Sequence, residues 1–302
     1  MAIEAQESAE GRREKVAFLI EHLLTETPAY REEVARIPRD RQAQRDFLRA
    51  LMNVRPPIPL QADFLRVQDA LLTEEREARG VVDGAALPTV AEERCTTMAR
   101  GAASGAGMDT ADENFVLWQG DITRLAVDAI VNAANSALLG CFVPLHRCID
   151  NAIHSAAGLA LRAVCDEIMR EQGHPEPAGR AKITPGFNLP ARHVLHTVGP
   201  IIAPAGSPVH EPGVFAGVTH EAQQCLASCY RACLDLATEH GLTSVAFCCI
   251  STGEFHYPPQ EAAETAVATC RAWLRANDAP MRIVFNVFKD EDLAIYRRIF
   301  QL

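Results

Sequence analysis

From Asn114 onward, short apolar runs alternate with longer amphipathic ones, and no other feature of this 302-residue chain narrows its fold as far. NFVLWQG and DAIVNAA read as strands, followed by a helix through IDNAIHSAAGLALRAVCDEIM. The strand-like AKITPGF and HVLHTVG come next, then a helix through EAQQCLASCYRACLDLATEH and the strand SVAFCCI. A helix through PQEAAETAVATCRAWLRAN, the strand RIVFNVF and a short final helix complete the series. Such alternation argues for a three-layer α/β domain around a mostly parallel or mixed sheet, with ligands expected at the carboxyl ends of the strands. The Pro- and Gly-bearing stretch PIIAPAGSPVHEPGVFAG reads as a long surface loop, and there are no internal repeats.

Upstream the period is helical. VAFLIEHLL, DRQAQRDFLRALMNV and QADFLRVQDALLTEE carry apolar residues at helical spacing from about Glu10 to Gly80, with Pro-bearing breaks such as RPPIP between them. The small, polar GAASGAGMDTAD between Gly101 and Asp112 reads as a linker, so a helical region and linker are expected over 1–112 and the α/β domain over 113–302. The ordinary amphipathic pattern of the helices favours a layer covering one flank over a surface for docking a substrate protein.

A net charge of -10 disfavours nonspecific nucleic-acid binding, which requires basic residues to neutralise phosphates. No apolar run is long enough to cross a bilayer, which argues against a membrane protein. The first residues, MAIEAQESAEGRREK, are charged and lack an apolar core, so the ten cysteines are read as reduced thiols of a cytoplasmic protein. A small anionic ligand held by backbone amides is compatible with all of this.

The stretch LGCFVPLHRCIDNAIHSAAG sets Cys141, His146 and Cys148 in the pattern C-x-x-x-x-H-x-C, with Pro144 stiffening the loop between them. Two thiolates and an imidazole suit zinc, yet by spacing alone they read equally well as buried thiols and a surface histidine. As ligands they are one short of a tetrahedron. The next histidine, His154, lies on a helix where it packs or caps, so a water or ligand hydroxyl in the fourth place, as in catalytic zinc sites, fits better. Cys225, Cys229 and Cys233 recur at helical spacing and read as small apolar residues on a buried face, and Cys248 and Cys249 point to opposite faces of a strand. Asp121, just after the first strand, is a turn-former or an N-cap. Asn132 and Asn135 have the donors and acceptors for sugar hydroxyls, although Asn is also common in plain turns. Ser251, Thr252 and Gly253, at a strand-to-helix turn, can present backbone N–H groups to a phosphate.

GDIT, DAIVNAAN, the pair KITPGFNLP and VLHTVGP, and ISTGEF with the YP and AA that follow occur together in an order that resembles macrodomains, the ADP-ribose-binding α/β/α fold. Ordinary members carry a glycine-rich loop where this chain has GCFVPLHRCIDNAIH, a replacement similar to the zinc-containing microbial subgroup. FLRALMNVRPPIPLQADFLRVQDALL resembles the helical amino-terminal region of the same subgroup. The resemblance implies a three-layer α/β/α macrodomain with a mixed central sheet behind an N-terminal helical region. It implies that Asp121 accepts from the adenine amine beside the Ile122 amide, with Phe288 a candidate to stack on the adenine or, equally, a core residue. Ser251, Thr252, Gly253, Glu254 and Phe255 would wrap the diphosphate, with Phe255 against the distal ribose. Asn132 and Asn135 would face that ribose, Asp150 would be the carboxylate near the reacting carbon, and Cys141, His146 and Cys148 would bind zinc. Glu254, a carboxylate beside a diphosphate, either points away or serves the reaction.

The function expected is zinc-dependent removal of mono-ADP-ribose from modified proteins, zinc either polarising a ribose hydroxyl or activating water, with Asp150 as general base or water-positioner and Asn132 and Asn135 as the other catalytic residues. An ADP-ribose reader without turnover and an O-acetyl-ADP-ribose deacetylase share the same binding residues. The resemblance further implies a lipoyl-carrier protein, modified by a sirtuin, as partner.

Overall fold

The computed structural model describes all residues except 1, 35, 39, 100–108, 205–210 and 278, so most of the expected linker lies outside the described residues. The helices are α1 (Ala2–Glu26), α2 (Arg31–Val34), α3 (Arg41–Val54), α4 (Ala62–Arg79), α5 (Val90–Ala99), α6 (Ile149–Ala157), α7 (Leu159–Gln172), α8 (His220–Glu239), α9 (Pro259–Ala276) and α10 (Asp290–Phe300). The strands are β1 (Val82–Asp83), β2 (Phe115–Gln119), β3 (Leu125–Ala126), β4 (Ala129–Ala133), β5 (Ala181–Pro185), β6 (His193–Thr197), β7 (Ile201–Ile202), β8 (Val214–Phe215), β9 (Ser244–Phe247) and β10 (Arg282–Val287).

Six strands form one sheet in the order β2-β10-β9-β4-β6-β5, parallel throughout except for β5, which runs antiparallel to β6. Its strands are continuous apolar runs such as Phe115-Val116-Leu117 and Ile283-Val284-Phe285, all buried, as parallel strands covered on both faces must be. Helices α6 and α7 pack together, as do α8, α9 and α10, and with the sheet they close one core in the three-layer α/β/α arrangement. Among the described residues no helix is long and apolar enough to cross a membrane.

The helix expected through residues 149–169 is two helices. Gly158 breaks it with φ at 92°, a left-handed conformation that suits glycine. The first amide of α7, from Leu159, then donates to Gln68 Oε1 of α4 at 3.0 Å, and a Cβ at position 158 would stand 2.6 Å from Gln68 Nε2. The upstream helices thus supply the cap that lets the chain turn there.

Those helices have their own core of Leu19, Leu23, Leu48, Leu51 and Phe64, and it takes in Leu159 of α7. Arg162 of α7 donates through Nη1 to the carbonyls of Met52 and Arg55, satisfying the buried carboxyl end of α3. Strand β1 and helix α5 had no sequence signal, and the stretch expected to be a long surface loop carries the parallel pair β7–β8. β1 pairs with β3, Val90 of α5 joins the main core, and Arg94 forms a buried ion pair with Asp112 at 2.9 Å.

Candidate active site

The parallel strands all end at one edge of the sheet, and a cleft of about 420 Å³ opens there. Asp121 and Ile122 follow β2, Ala133 ends β4, Cys248, Cys249 and Ser251 to Phe255 follow β9, Asn286 lies near the end of β10 and Phe288 just after it. Arg147, Cys148, Ile149 and Ala152 close the side formed by the start of α6.

Asp121 is both a cap and a wall. Its Oδ1 accepts from the Thr123 amide at 2.9 Å and the Thr123 hydroxyl at 2.7 Å, while Oδ2 faces Arg79 of α4 at 3.4 Å. Phe288 is 75% exposed on the cleft wall, which excludes its reading as a core residue. In the turn after β9, Ser251 adopts φ at 66° and the Tyr257 amide donates back to its carbonyl at 2.9 Å. The Ser251 hydroxyl is buried and has no partner.

Asn132 and Asn135 do not line the cleft; their amides hold Asp150. The β4–β6 register sets Asn132 beside His196. Asn132 Nδ2 donates to Asp150 Oδ1 at 2.8 Å and to His196 Nδ1 at 3.2 Å. With Nδ1 accepting, the imidazole proton sits on Nε2 and donates to the Thr184 hydroxyl at 3.0 Å. Asn135 Nδ2 reaches Asp150 Oδ2 at 3.3 Å and the Gly140 carbonyl at 3.1 Å, and its own Oδ1 takes the Ala137 amide in a local turn. Asn132 Oδ1 is buried without a partner. Asp150 is 5% exposed, and this burial pushes its carboxyl up to about 6 against the opposing pull of the two amides and of Arg162.

Two residues earlier the chain brings its soft ligands together. The donor atoms of Cys141, His146 and Cys148 all lie within 4.8 Å of one another, with Cys141 Sγ 3.5 Å from His146 Nδ1. Gly140, φ 81°, makes the turn into Cys141, and a Cβ there would stand 2.8 Å from the His154 ring. Cys148 caps α6, its Sγ accepting from the Asn151 amide at 3.4 Å. Burial pushes the Cys148 thiol up to about 12, and Cys141 and Asp150 nearby add to the rise, against the Asn151 amide. A thiolate there calls for a cation beside it, and two thiols with an imidazole are the donor set of a soft divalent ion. Glu254 turns toward this group, with Oε1 3.6 Å from His146 Nε2, so its carboxylate faces the imidazole.

A second group, which the sequence did not disclose, lies beneath. His154, Cys165 and His196 also have donor atoms within 4.8 Å of one another, and all three are buried. Both nitrogens of His196 are committed to Asn132 and Thr184, and Cys165 Sγ is 3.9 Å from Nε2. His154 packs, as expected, its ring 6.1 Å from that of His196 and its Nε2 3.5 Å from Asp150 Oδ1. Burial keeps both imidazoles neutral, pushing His196 down to about 4 and His154 well below its ordinary value. The signal for His196 was available in a polar residue at the centre of the apolar strand HVLHTVG; Arg162 and Cys165 had none. Cys229 and Cys233 are buried on one face of α8 as small apolar residues.

Residues 131–266 match the Macro domain family. A protein of Treponema medium named protein-ADP-ribose hydrolase is 47% identical over 288 residues, covering 95% of this chain and 98% of its own. One of Staphylococcus aureus with the same name is 43% identical over 255 residues, 84% of each chain. Among solved structures, the Trypanosoma brucei macrodomain in complex with ADP-ribose superposes with a TM-score of 0.58 at 27% identity, covering 80% of this chain and 91% of that one. On its sheet order, its cleft and these relatives, the chain belongs to the macrodomain family.

Proposed function

We propose that the protein is a zinc-dependent hydrolase that releases single ADP-ribose units from modified proteins. The observation that carries this reading is a juxtaposition: Cys141, His146 and Cys148 gather at the edge of the cleft, and Asp150, two residues on, is held rigidly by Asn132 and Asn135. The name shared by the bacterial relatives supports the same reaction.

At one end of the cleft Asp121 and the Ile122 amide would meet the adenine, with the exposed Phe288 ring able to stack on it. The turn from Ser251 to Phe255 would wrap the diphosphate with backbone N–H groups. That orientation would send the distal ribose toward the start of α6, where Arg147, Cys148, Ile149 and Ala152 line the cleft. Asp150 would orient a water at the sugar carbon and take its proton as the bond to the protein breaks; two amide donors keep that carboxylate from turning away. Zinc held by Cys141, His146 and Cys148 would supply Lewis acidity at this end of the cleft. Glu254 would orient His146 through Nε2.

The test is release of ADP-ribose from a mono-ADP-ribosylated protein, a lipoyl-carrier protein being the first to try, alongside O-acetyl-ADP-ribose. Release from the protein substrate is expected. Binding of ADP-ribose without turnover would leave a reader, and cleavage of the acetyl ester alone would move the activity to small esters.

A further inference from the structure

Helix α3 belongs to the upstream helical layer, yet two of its side chains reach the loop that carries the soft ligands. Asn53 is 2% exposed, and its Oδ1 accepts from the backbone amide of Leu145 at 3.0 Å while its Nδ2 donates to Ser155 Oγ at 3.1 Å. One turn earlier, Arg49 donates through Nη2 to the His146 carbonyl at 3.4 Å and to Asn151 Oδ1 at 2.7 Å, and through Nε to Ser155 Oγ at 3.2 Å. Asn151 is fully buried and completes the link, its Nδ2 donating to the carbonyls of Cys141 at 3.4 Å and Val143 at 3.1 Å.

The residue that Asn53 holds is a strained one. Leu145 sits at φ 57°, a left-handed conformation that a branched, non-glycine side chain adopts only where its surroundings impose it. Packing of its own side chain does little of this, because Leu145 is 42% exposed, as are its neighbours Phe142 at 40% and Val143 at 57%. The constraint comes instead from the buried acceptor on α3, 92 residues away in sequence, and from the His146 amide closing a turn onto the Val143 carbonyl at 3.2 Å. Relaxing the Leu145 backbone would rotate the peptide that leads directly into His146.

We propose that Asn53 and Arg49 are positioning residues of the metal loop, so that the upstream helical layer is a working part of the metal centre and not only a cover for one flank. The proposal rests on the zinc reading above. Asn53 fixes the Pro144–Leu145 peptide on the near side of the strained Leu145, Arg49 fixes the peptide after His146, and Asn151 ties the loop to the start of α6, where Cys148 caps the helix. Supports of this kind typically change metal affinity by about 10- to 100-fold when removed.

The experiment uses the full chain and zinc itself, with affinity measured by competition against a chromogenic chelator. Asn53→Leu, which keeps the branching of the side chain but not the acceptor, should weaken zinc binding at least about 10-fold. Asn53→Asp keeps an acceptor for the Leu145 amide but loses the donor to Ser155 Oγ, whose own proton goes to Asn151 Oδ1 at 3.2 Å, so it should recover part of that loss. ADP-ribose affinity, read by calorimetry, should stay within about twofold of wild type in both, because neither residue borders the cleft. Should Asn53→Leu fail to fold, the half-exposed Arg49→Gln replaces it, with a drop in zinc affinity expected in the same direction. Zinc affinity unchanged in the folded variant, while Cys148→Ala abolishes zinc binding, would overturn the clamp and leave the zinc reading standing. Zinc binding equally absent from wild type and all variants would overturn both.

Discussion

The two Cys/His groups of this protein draw on the same two ligand types, two thiols and an imidazole in one and two imidazoles and a thiol in the other, and they differ most in their setting. Cys141, His146 and Cys148 are half-buried on a loop at the edge of the cleft, while His154, Cys165 and His196 are sealed in the core. The outer imidazole has one nitrogen toward a thiol and the other toward Glu254, whereas both nitrogens of His196 are taken by Asn132 and Thr184. His154 of the inner group has both ring nitrogens without a hydrogen-bond partner, so ligand type, distance and spare lone pairs do not define a metal site by themselves; access does. The inner group instead works as a strut, since His196 accepts from the same amide that holds Asp150.

The widest separation between the groups is expected on removing a thiol from each. Cys148→Ala should lose zinc, by metal analysis, and bring release of ADP-ribose down to the assay background; Cys165→Ala should retain both. Zinc retained in the first or lost in the second would reverse the roles assigned to the groups.

Asp150→Asn sharpens the comparison by separating carboxylate from metal. Turnover should fall by about 10²- to 10⁴-fold with zinc content and ADP-ribose affinity preserved, as measured by single-turnover release and calorimetry. An equal loss of affinity would make Asp150 a binding residue only.

Acid stability reports on the inner group. His196 titrates near 6.5 when unfolded and is pushed down to about 4 in the fold by burial, so the unfolded chain takes up the proton first. The stability it contributes is present above pH 6.5 and lost as pH falls toward 4, amounting to about 3 kcal/mol. Around it, His154 acts in the same sense and Asp150, raised to about 6, in the opposite one, so the difference between proteins is what counts. His196→Gln should lose less stability than wild type between pH 6.5 and 4 in urea titrations, and parallel curves would refute the strut.

The smallest effect belongs to Cys165, a buried thiol whose truncation should cost about 1 kcal/mol without changing zinc content, measured by the urea midpoint.

What the sequence made legible follows from range. The strands of the main sheet and most of the helices are local patterns and appear where their residues place them, whereas α5, β1 and the pair β7–β8 do not. The break at Gly158 was not legible, because its cause is Gln68, 91 residues from the amide it caps. Asn132 and Asn135 could be seen as polar residues at a strand end, but their grip on Asp150 depends on where α6 starts. Phe288 left two readings open, and its exposure at the mouth of the cleft removes one of them. Asn53 is one polar residue in an amphipathic helix until the fold lays it against Leu145. The upstream helices were expected to cover a flank; in the structure they also cap α7 and grip the ligand loop.

The most direct measurement is release of ADP-ribose from a mono-ADP-ribosylated protein by chelator-stripped protein, before and after one equivalent of zinc is returned, with ADP-ribose affinity followed in parallel. Stripped protein should bind ADP-ribose but not release it from the substrate, and zinc should restore turnover. Full turnover by protein shown by metal analysis to be free of zinc would contradict a role for Cys141, His146 and Cys148 in the reaction.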